Sequence, residues 1–372
     1  MARAKFFVNC FLVVLVLVVT IAFFVGCDAP DEPAADPDVD EPAVDEPMKI
    51  GVATSLLRND YSWGEGTYRG VLALREKYPD AVIDFADAVP AGDQVAMARD
   101  WANEGYDLIA LWGYEFFDTA VQVAPDFPEV WFAVSCAPEP GSEGMPENLT
   151  SAYFTEEEAG YLAGILAAHY TETNKIAYMS GTELPCGAKT LNAFRLGAYE
   201  VNPDVEVVWS FVGSWADLAR EKETAESLID LGADIIFSQW VGLAAADACS
   251  ERGVKMIGSH HLMEYKPDIV LADHNMDMMI SLEYVMDRIA EGTLEPRPYM
   301  MSLDKGITDL KLNYDLLSDE AIAEIEAARQ RIIDGEVVMD KIISILPSEW
   351  PHEDVPNYED FLEPEYELVY VD

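Results

Sequence analysis

Basic residues are scarce in this sequence. It holds 23 Lys and Arg against 69 Asp and Glu in 372 residues, which gives a formal net charge of -46 at pH 7. A surface of that charge repels phosphate groups, so the composition argues strongly against nucleic acid as a partner and disfavours anionic ligands such as nucleotides. The acidity indicates either a saline habitat or simply a solvated acidic surface.

Recognisable catalytic signatures are absent as well. The sequence has no G-x-S-x-G, H-E-x-x-H or P-loop pattern. The stretch GEGTYRG, from Gly64 to Gly70, has one residue too many for the glycine fingerprint of dinucleotide-binding proteins. His260 and His261 are adjacent, and neighbouring side chains at a strand end point apart, so we expect one in a cleft and the other packed or solvated. The sequence therefore predicts no enzyme active site, no cofactor and no metal site.

One long apolar run stands out, from Phe11 to Val25, preceded by Arg3 and Lys5. It ends in FFVGC, the pattern of a bacterial lipoprotein signal with Phe in place of the usual Leu. We therefore expect residues 1–26 to be a lipoprotein signal peptide and Cys27 to carry the lipid. The alternative is an uncleaved transmembrane anchor, which would also leave the rest of the chain outside the cytoplasm.

An acidic, proline-rich segment follows the predicted lipid site. DAPDEPAADPDVDEPAVDEP contains only Asp, Glu, Pro, Ala and Val, so it cannot bury a core. In extended polyproline geometry it would span about 60 Å. We expect residues 27–47 to be a tether that holds a globular body away from a membrane.

Cysteine is also rare. Apart from Cys10 in the predicted signal and Cys27, the sequence has Cys136, Cys186 and Cys249, with no C-x-x-C spacing. Three widely spaced thiols allow at most one disulfide within the chain, and they do not form a metal-ligand pattern.

From Met48 onward, short apolar runs alternate with amphipathic segments. The runs are KIGVATS, VIDFADAV, DLIALWG and VWFAVS in a first set, and KIAYMSG, VEVVWSFVG, ADIIFSQW and VKMIGS in a second. Strands that alternate with helices form parallel sheets covered on both faces. About 325 residues exceed one core, so the sequence predicts an α/β protein of two doubly wound parallel-sheet lobes joined by a hinge.

Large aromatic residues fall where the predicted strands end. In sheets of this kind, ligands bind beyond the carboxyl ends of the strands. Any one ring could simply pack against a lobe edge, but together they favour a flat apolar ligand held by stacking. The five residues are Trp63, Trp112, Tyr114, Trp215 and Trp240. By contrast, Glu156–Glu158 before AGYLAGILAA indicate a helix start with acids in its first turn, a structural feature.

Several stretches together resemble the basic membrane protein family of substrate-binding lipoproteins, which serve ABC importers and include purine nucleoside receptors. They are NDYSWGEGTYRG, FTEEEAGYLAGILAA, NKIAYMSG, GVKMIG and the long stretch from NAFRLGAYE to ADIIFSQ. The Trp in the first motif and SWADLAREKETA are most similar to the branch linked to purine bases such as adenine. The resemblance implies the type 1 periplasmic-binding-protein fold, with three crossings between the lobes. We expect a first lobe of 48–153 plus about 274–297 and a second of 154–273 plus about 298–372.

The resemblance also implies site residues. The family holds a purine between aromatic rings, one of them from a D-x-S-[FW] loop, which corresponds to Asp60, Ser62 and Trp63. Asp60 is the expected polar partner of the ligand. His260 and His261 stand where nucleoside-binding members have an Asp, which puts ribose recognition in question. After the ADIIF strand, Gln239 and Trp240 replace a glycine-rich loop, and Trp240 is a candidate second stacking face.

The sequence thus predicts a non-enzymatic, lipid-anchored receptor that captures a purine base or nucleoside, adenine among the candidates, and delivers it to an ABC transporter permease. Indoles, other heteroaromatics and sugars also suit a Trp-lined cleft. One alternative is an exported enzyme acting on nucleosides through Asp60 or Asp217. Another is a surface sensor that signals instead of transporting.

Overall fold

The structure is a computed structural model that describes residues 47–138 and 144–337. The predicted signal peptide, Cys27 and all of the tether before Pro47 lie outside the described residues. None of the described helices has the length and apolar character that crossing a membrane requires.

Twelve strands and ten α-helices make up the described chain. The strands are β1 (Lys49–Ala53), β2 (Val82–Ala86), β3 (Leu108–Leu111), β4 (Trp131–Ser135), β5 (Leu149–Phe154), β6 (Lys175–Ser180), β7 (Glu206–Phe211), β8 (Ile235–Gln239), β9 (Lys255–Ser259), β10 (Val270–Met276), β11 (Pro298–Met301) and β12 (Thr308–Leu312). The helices are α1 (Trp63–Lys77), α2 (Gln94–Asn103), α3 (Phe117–Val123), α4 (Glu156–Tyr170), α5 (Pro185–Val201), α6 (Leu218–Asp230), α7 (Leu243–Arg252), α8 (Leu262–Tyr265), α9 (Met278–Glu291) and α10 (Asp319–Ile333).

The strands form two six-stranded sheets, one for each lobe. The first has the order β11-β5-β4-β3-β1-β2 and the second β12-β10-β9-β8-β6-β7. All pairings are parallel except that of β10 with β12 at the edge of the second sheet. The two α/β lobes with mainly parallel sheets confirm the predicted fold class, and all eight apolar runs are strands.

Close helix packing stabilises the second lobe. The glycines of α4 and α5 let the two helices approach until backbone touches backbone. A Cβ added at Gly164 would lie 1.9 Å from the carbonyl oxygen of Phe194, and one at Gly197 would lie 2.0 Å from that of Tyr161. The small residues of AGYLAGILAA therefore serve packing, because any side chain at these positions would force the helices apart.

The chain crosses between the lobes three times. It passes from β5 to α4, from β10 to α9, and from β11 to β12. The sequence placed the second and third crossings near residues 274 and 298. The strand pairings put them after Met276 and after Met301, because β10 stays in the second sheet and β11 pairs with β5 in the first. Sequence reasoning did not identify β5, β10, β11 or β12 as strands, and the crossing positions depend on them.

Candidate functional site

The carboxyl ends of both sheets face one cleft, and a cavity lies there between the lobes. It encloses about 360 Å³, including space open to solvent. Its aromatic lining comes from both lobes and consists of Trp63, Tyr114, Trp215 and Trp240.

The rings of the cavity form a connected wall. Trp63 contacts Trp240 edge to face across the cleft, and Trp215 lies against Trp240 with ring centroids 5.8 Å apart and an interplanar angle of 59°. The indole N–H of Trp63 donates to the backbone oxygen of Trp112 at 3.2 Å, which fixes the orientation of its ring. Trp63 is only 5% exposed, so it is both a cavity wall and a packed side chain.

Asp60 shapes the loop that carries Trp63. Its carboxylate accepts backbone N–H groups of Ser62 at 2.8 Å, Gly64 at 3.0 Å and Glu65 at 3.0 Å, so it caps the start of α1. Burial raises the pKa of Asp60 to about 6, although the three donors favour the charged form. Asp60 is not part of the cavity lining. Its carboxylate therefore supports the wall through Trp63.

Two more residues of the predicted site lie behind the cavity. Trp112 is fully buried, and its indole N–H approaches the Met278 sulfur at 3.3 Å. The hydroxyl of Ser62 is buried and has no hydrogen-bond partner among the described residues. Neither residue lines the cavity, so both support the loop and strand end from which the wall is built.

Gln239 is placed deeper in the second lobe. Its side-chain amide donates to Glu156 Oε2 at 2.7 Å and to Thr190 Oγ1 at 3.0 Å, while its oxygen accepts from the Tyr178 hydroxyl. The side chain is fully buried and lies outside the cavity lining. The amide nitrogen and the amide oxygen of Gln239 are thus both hydrogen-bonded to other side chains of the protein.

The two adjacent histidines have different surroundings. His260 is 3% exposed, packs edge to face on Trp63 at 5.9 Å, and its ring nitrogens have no partner among the described residues. Burial holds the pKa of His260 well below its ordinary value, so the ring is neutral. His261 lines a separate cavity with Arg69 and Lys311. Neither histidine lines the aromatic cavity.

The lobes touch each other directly at the mouth of the cleft. Arg69 of α1 pairs with Glu264 of α8 at 2.7 Å. The rings of Tyr61 and Tyr265 lie 5.0 Å apart, and the backbone N–H of His261 donates to the Tyr61 carbonyl oxygen at 3.1 Å. These contacts join the opening loop of the first lobe to the α8 segment of the second, so the structure is in a closed arrangement.

Four residues without the freedom of glycine hold left-handed backbone at this cleft. The φ angles are 55° for Tyr61, 61° for Cys136, 62° for Trp240 and 55° for His260. Each such conformation costs on the order of 1–3 kcal/mol and persists only where the surrounding structure imposes it. Cys136, Trp240 and His260 directly follow β4, β8 and β9, and Tyr61 lies in the loop between β1 and α1. Their concentration makes this edge of the sheets the candidate functional one.

Sequence reasoning missed the carboxylates and thiols of the site. Glu115 lines the cavity next to Tyr114, accepts a hydrogen bond from the Ser55 hydroxyl and keeps contact with solvent; burial by neighbouring atoms raises its pKa. Cys136 and Cys186 also line the cavity. Their positions after a strand and at a helix start were visible in the sequence, but nothing there showed that they meet.

Glu156 is the other missed carboxylate, and it lies just beneath the cavity. It is fully buried at the start of α4, where Cys136 Sγ approaches Oε1 at 3.2 Å and Gln239 donates to Oε2. Burial raises the pKa of Glu156 to about 8, although both hydrogen bonds favour the charged form. The sequence interpretation of the three glutamates as a helix start is correct for the backbone but incomplete for Glu156.

No group of three or more His, Cys, Asp or Glu side chains among residues 47–138 and 144–337 is arranged to hold a metal ion. The cavity lining offers flat apolar surface, two thiols, two hydroxyls and one carboxylate. Such a lining binds a small ring by stacking and directs it with a few polar contacts.

Comparisons with known proteins agree with this arrangement. A purine-binding protein of Brucella abortus (strain 2308) is 27% identical over 301 residues, covering 79% of this chain and 83% of that protein. A protein of Haloferax volcanii, provisionally named as an ABC transporter glucose-binding protein, is 25% identical over 279 residues, covering 75% and 70%.

Among solved structures, an ABC transporter solute-binding protein of Aeropyrum pernix K1 superimposes with a TM-score of 0.70 at 21% identity, covering 80% of this chain and 94% of that one. This likeness confirms the type 1 periplasmic-binding-protein fold. The family model described as ABC transporter substrate-binding protein PnrA-like matches residues 48–342. The resemblance seen in the sequence is therefore confirmed, and the chain belongs to the PnrA-like family of ABC transporter substrate-binding proteins.

Proposed function

We propose that this protein captures a purine base or nucleoside in the aromatic cavity and delivers it to an ABC transporter permease. A lipid on Cys27 anchors it to the cell membrane outside the cytoplasm, in a periplasm or at the cell surface. The observation that carries the proposal is the supply of stacking rings by both lobes, Trp63 and Tyr114 from the first and Trp215 and Trp240 from the second. A flat ligand between them bridges the lobes and stabilises the closed arrangement.

The polar groups of the cavity favour a ring with N–H donors. Glu115 and Ser55 present oxygen acceptors beside Tyr114, and a carboxylate there accepts hydrogen bonds from an exocyclic amine or a ring N–H. The same carboxylate repels a phosphate, in line with the acidity of the whole chain. Adenine has the required donors on a flat frame, and the purine-binding relative of Brucella abortus supports this ligand class.

A base suits the site better than a nucleoside. The positions where the resemblance implies a ribose-binding acid hold His260 and His261, and neither lines the aromatic cavity. Adenine should therefore bind at least as tightly as adenosine. A preference for adenosine of tenfold or more would assign the sugar a binding role that we do not expect.

The experiment that tests the proposal identifies the ligand directly. Native mass spectrometry of the full chain as purified from its host should reveal a co-purified purine, and calorimetric titration with adenine, adenosine and glucose should rank them in that order. Glucose is the matched alternative, because the Haloferax volcanii relative is named for it and sugars also stack on indoles. Tight binding of glucose with no heat from either purine would overturn the purine assignment.

The enzyme alternative has little support from the carboxylates it would use. Asp60 caps α1, and Asp217 caps α6 by accepting the backbone N–H of Arg220 at 3.1 Å. Incubation with purine nucleosides distinguishes the two classes, since a receptor binds without turnover. A permease gene beside this one would favour transport, and a kinase gene would favour the sensor.

The lipid anchor has its own test. Cys27→Ser should abolish lipid attachment and release the protein from the membrane fraction. If that variant remains membrane-bound and is processed at the same site, the anchor is not a lipid on Cys27.

A further inference from the structure

Two of the three described cysteines meet across the cleft. Cys136 follows β4 in the first lobe, and Cys186 lies in the first turn of α5 in the second lobe. Both line the aromatic cavity and belong to the same apolar cluster, with exposures of 3% and 2%. The Cys186 thiol is also one of the neighbours that raise the pKa of the Cys136 thiol. Nearly fifty residues of chain and a change of lobe separate them in sequence, so only the closed arrangement brings them together.

We propose that Cys136 and Cys186 are a disulfide site, and that their oxidation locks the two lobes in the closed arrangement. Disulfides form and persist outside the cytoplasm, where this family of substrate-binding proteins works. A bond between the lobes would block their rotation about the hinge, and with it both uptake and release of a ligand. The thiols would thus act as a redox switch built into the wall of the binding cavity.

The chemistry requires an external disulfide oxidant such as oxidised glutathione. The thiolate of one cysteine attacks a sulfur of the oxidant, which forms a mixed disulfide and releases one glutathione thiolate. The second cysteine loses its proton and displaces the remaining glutathione. The protein gives up two protons and two electrons, and the oxidant becomes two molecules of reduced glutathione.

The surroundings of the thiols indicate when this reaction occurs. In the closed arrangement both sulfurs are buried, and burial raises the pKa of Cys136 well above its ordinary value, helped by the nearby Glu156. The first attack therefore belongs to the open form, in which the thiols reach solvent. Closure then brings the second sulfur to the mixed disulfide. The third thiol, Cys249, is buried in a separate apolar cluster of the second lobe and cannot take part.

The test needs no ligand, so its result is independent of the purine proposal. The full-length protein and its Cys136→Ala, Cys186→Ala and Cys249→Ala variants are incubated with oxidised glutathione, digested without reduction and mapped by mass spectrometry. We expect a linked Cys136–Cys186 peptide in the wild type and in the Cys249→Ala control, absent from the other two and removed by dithiothreitol. The linked form should be a monomer and should melt roughly 5–10 °C higher than the reduced form.

Two results would overturn the proposal. One is a wild type that carries only glutathione adducts, or links only between two copies, while its melting curve shows an intact fold. The other is a disulfide that forms without holding the lobes closed, which hydrogen exchange would detect. Peptides covering 58–66 and 260–265 contact each other across the cleft, and oxidation should slow their exchange by about tenfold or more. Equal exchange in the oxidised and reduced proteins would show that the bond does not hold the lobes closed.

Discussion

Trp63 of the first lobe and Trp240 of the second meet edge to face, with ring centroids 6.2 Å apart and planes at 83°. The contact joins the two lobes inside the cavity without any polar group. A flat ligand that stacks on either ring therefore extends a surface that both lobes already share.

Trp63→Ala should weaken ligand binding by roughly 5- to 150-fold, because base–aromatic stacking contributes on the order of 1–3 kcal/mol. Trp63→Phe should retain much of the affinity, since a flat ring remains. Adenine titration of both variants measures the effect. Trp131→Phe is the control, because Trp131 lies at the amino end of β4, away from the strand ends that face the cavity. A lowered melting temperature with an unchanged dissociation constant would assign Trp63 to packing alone.

Glu156 gives the protein a pH-dependent stability of definite sign. Its folded pKa of about 8 lies above the ordinary carboxyl value, so the folded state holds a proton that the unfolded state has lost. The stabilisation is fully present below about pH 4.5 and is lost as the pH rises through 8.

Glu156→Gln mimics the neutral acid and should remove the loss of stability that the wild type shows as the pH rises. Relative to the wild type, the variant should gain on the order of 3 kcal/mol between pH 5 and pH 8, as measured by urea unfolding. Asp60 and Asp273, whose pKa values burial raises to about 6 and about 7, contribute slopes of the same sign to both proteins. A difference that stays constant across this range would contradict a protonated Glu156.

Asp60→Ala should lower the free energy of unfolding by about 0.5–2 kcal/mol, because three backbone N–H groups lose their acceptor. It should also weaken ligand binding, since the loop that positions Trp63 loosens. Ser318→Ala is the matched control, because Ser318 caps α10 by accepting the Ala321 N–H at 3.2 Å, away from the cavity. Equal loss of stability in both variants with equal affinity would limit Asp60 to a capping role.

The ion pair between Arg69 and Glu264 should favour the closed form by no more than about 1 kcal/mol, because both side chains keep much of their contact with solvent. Glu264→Gln should therefore raise the dissociation constant by at most about fivefold at low salt, and the effect should fade in 1 M NaCl. Glu251→Gln, which breaks the pair with Lys222 inside the second lobe, is the control. If both variants bind equally at low salt, the pair between the lobes does not influence closure.

The sequence predicted the repeating α/β pattern well, because buried parallel strands are continuous apolar runs and amphipathic helices separate them. The runs from KIGVATS to VKMIGS are all strands. Less visible were β11 and β12, which lie where the chain changes lobe. Their assignment depends on long-range pairing with β5 and β10, which no local pattern records.

For the site, the rule that ligands bind at strand ends located the right edge of the sheets but did not distinguish a cavity wall from its support. Trp63, Tyr114, Trp215 and Trp240 line the cavity, while Trp112 at a similar strand end is fully buried. The meeting of Cys136 with Cys186 results from the closure of two lobes, a relation that spacing along the chain cannot reveal.

The three crossings also determine the order in which strands become available for pairing while the chain is synthesised and exported. Strand β5 lies between β4 and β11, and β11 becomes available only after all the strands of the second sheet except β12 have been made. A chain that emerges from its amino terminus must therefore hold the edge of β5 unpaired while about 150 further residues follow. Neither sheet can therefore receive its last strand until the chain has crossed between the lobes at least twice.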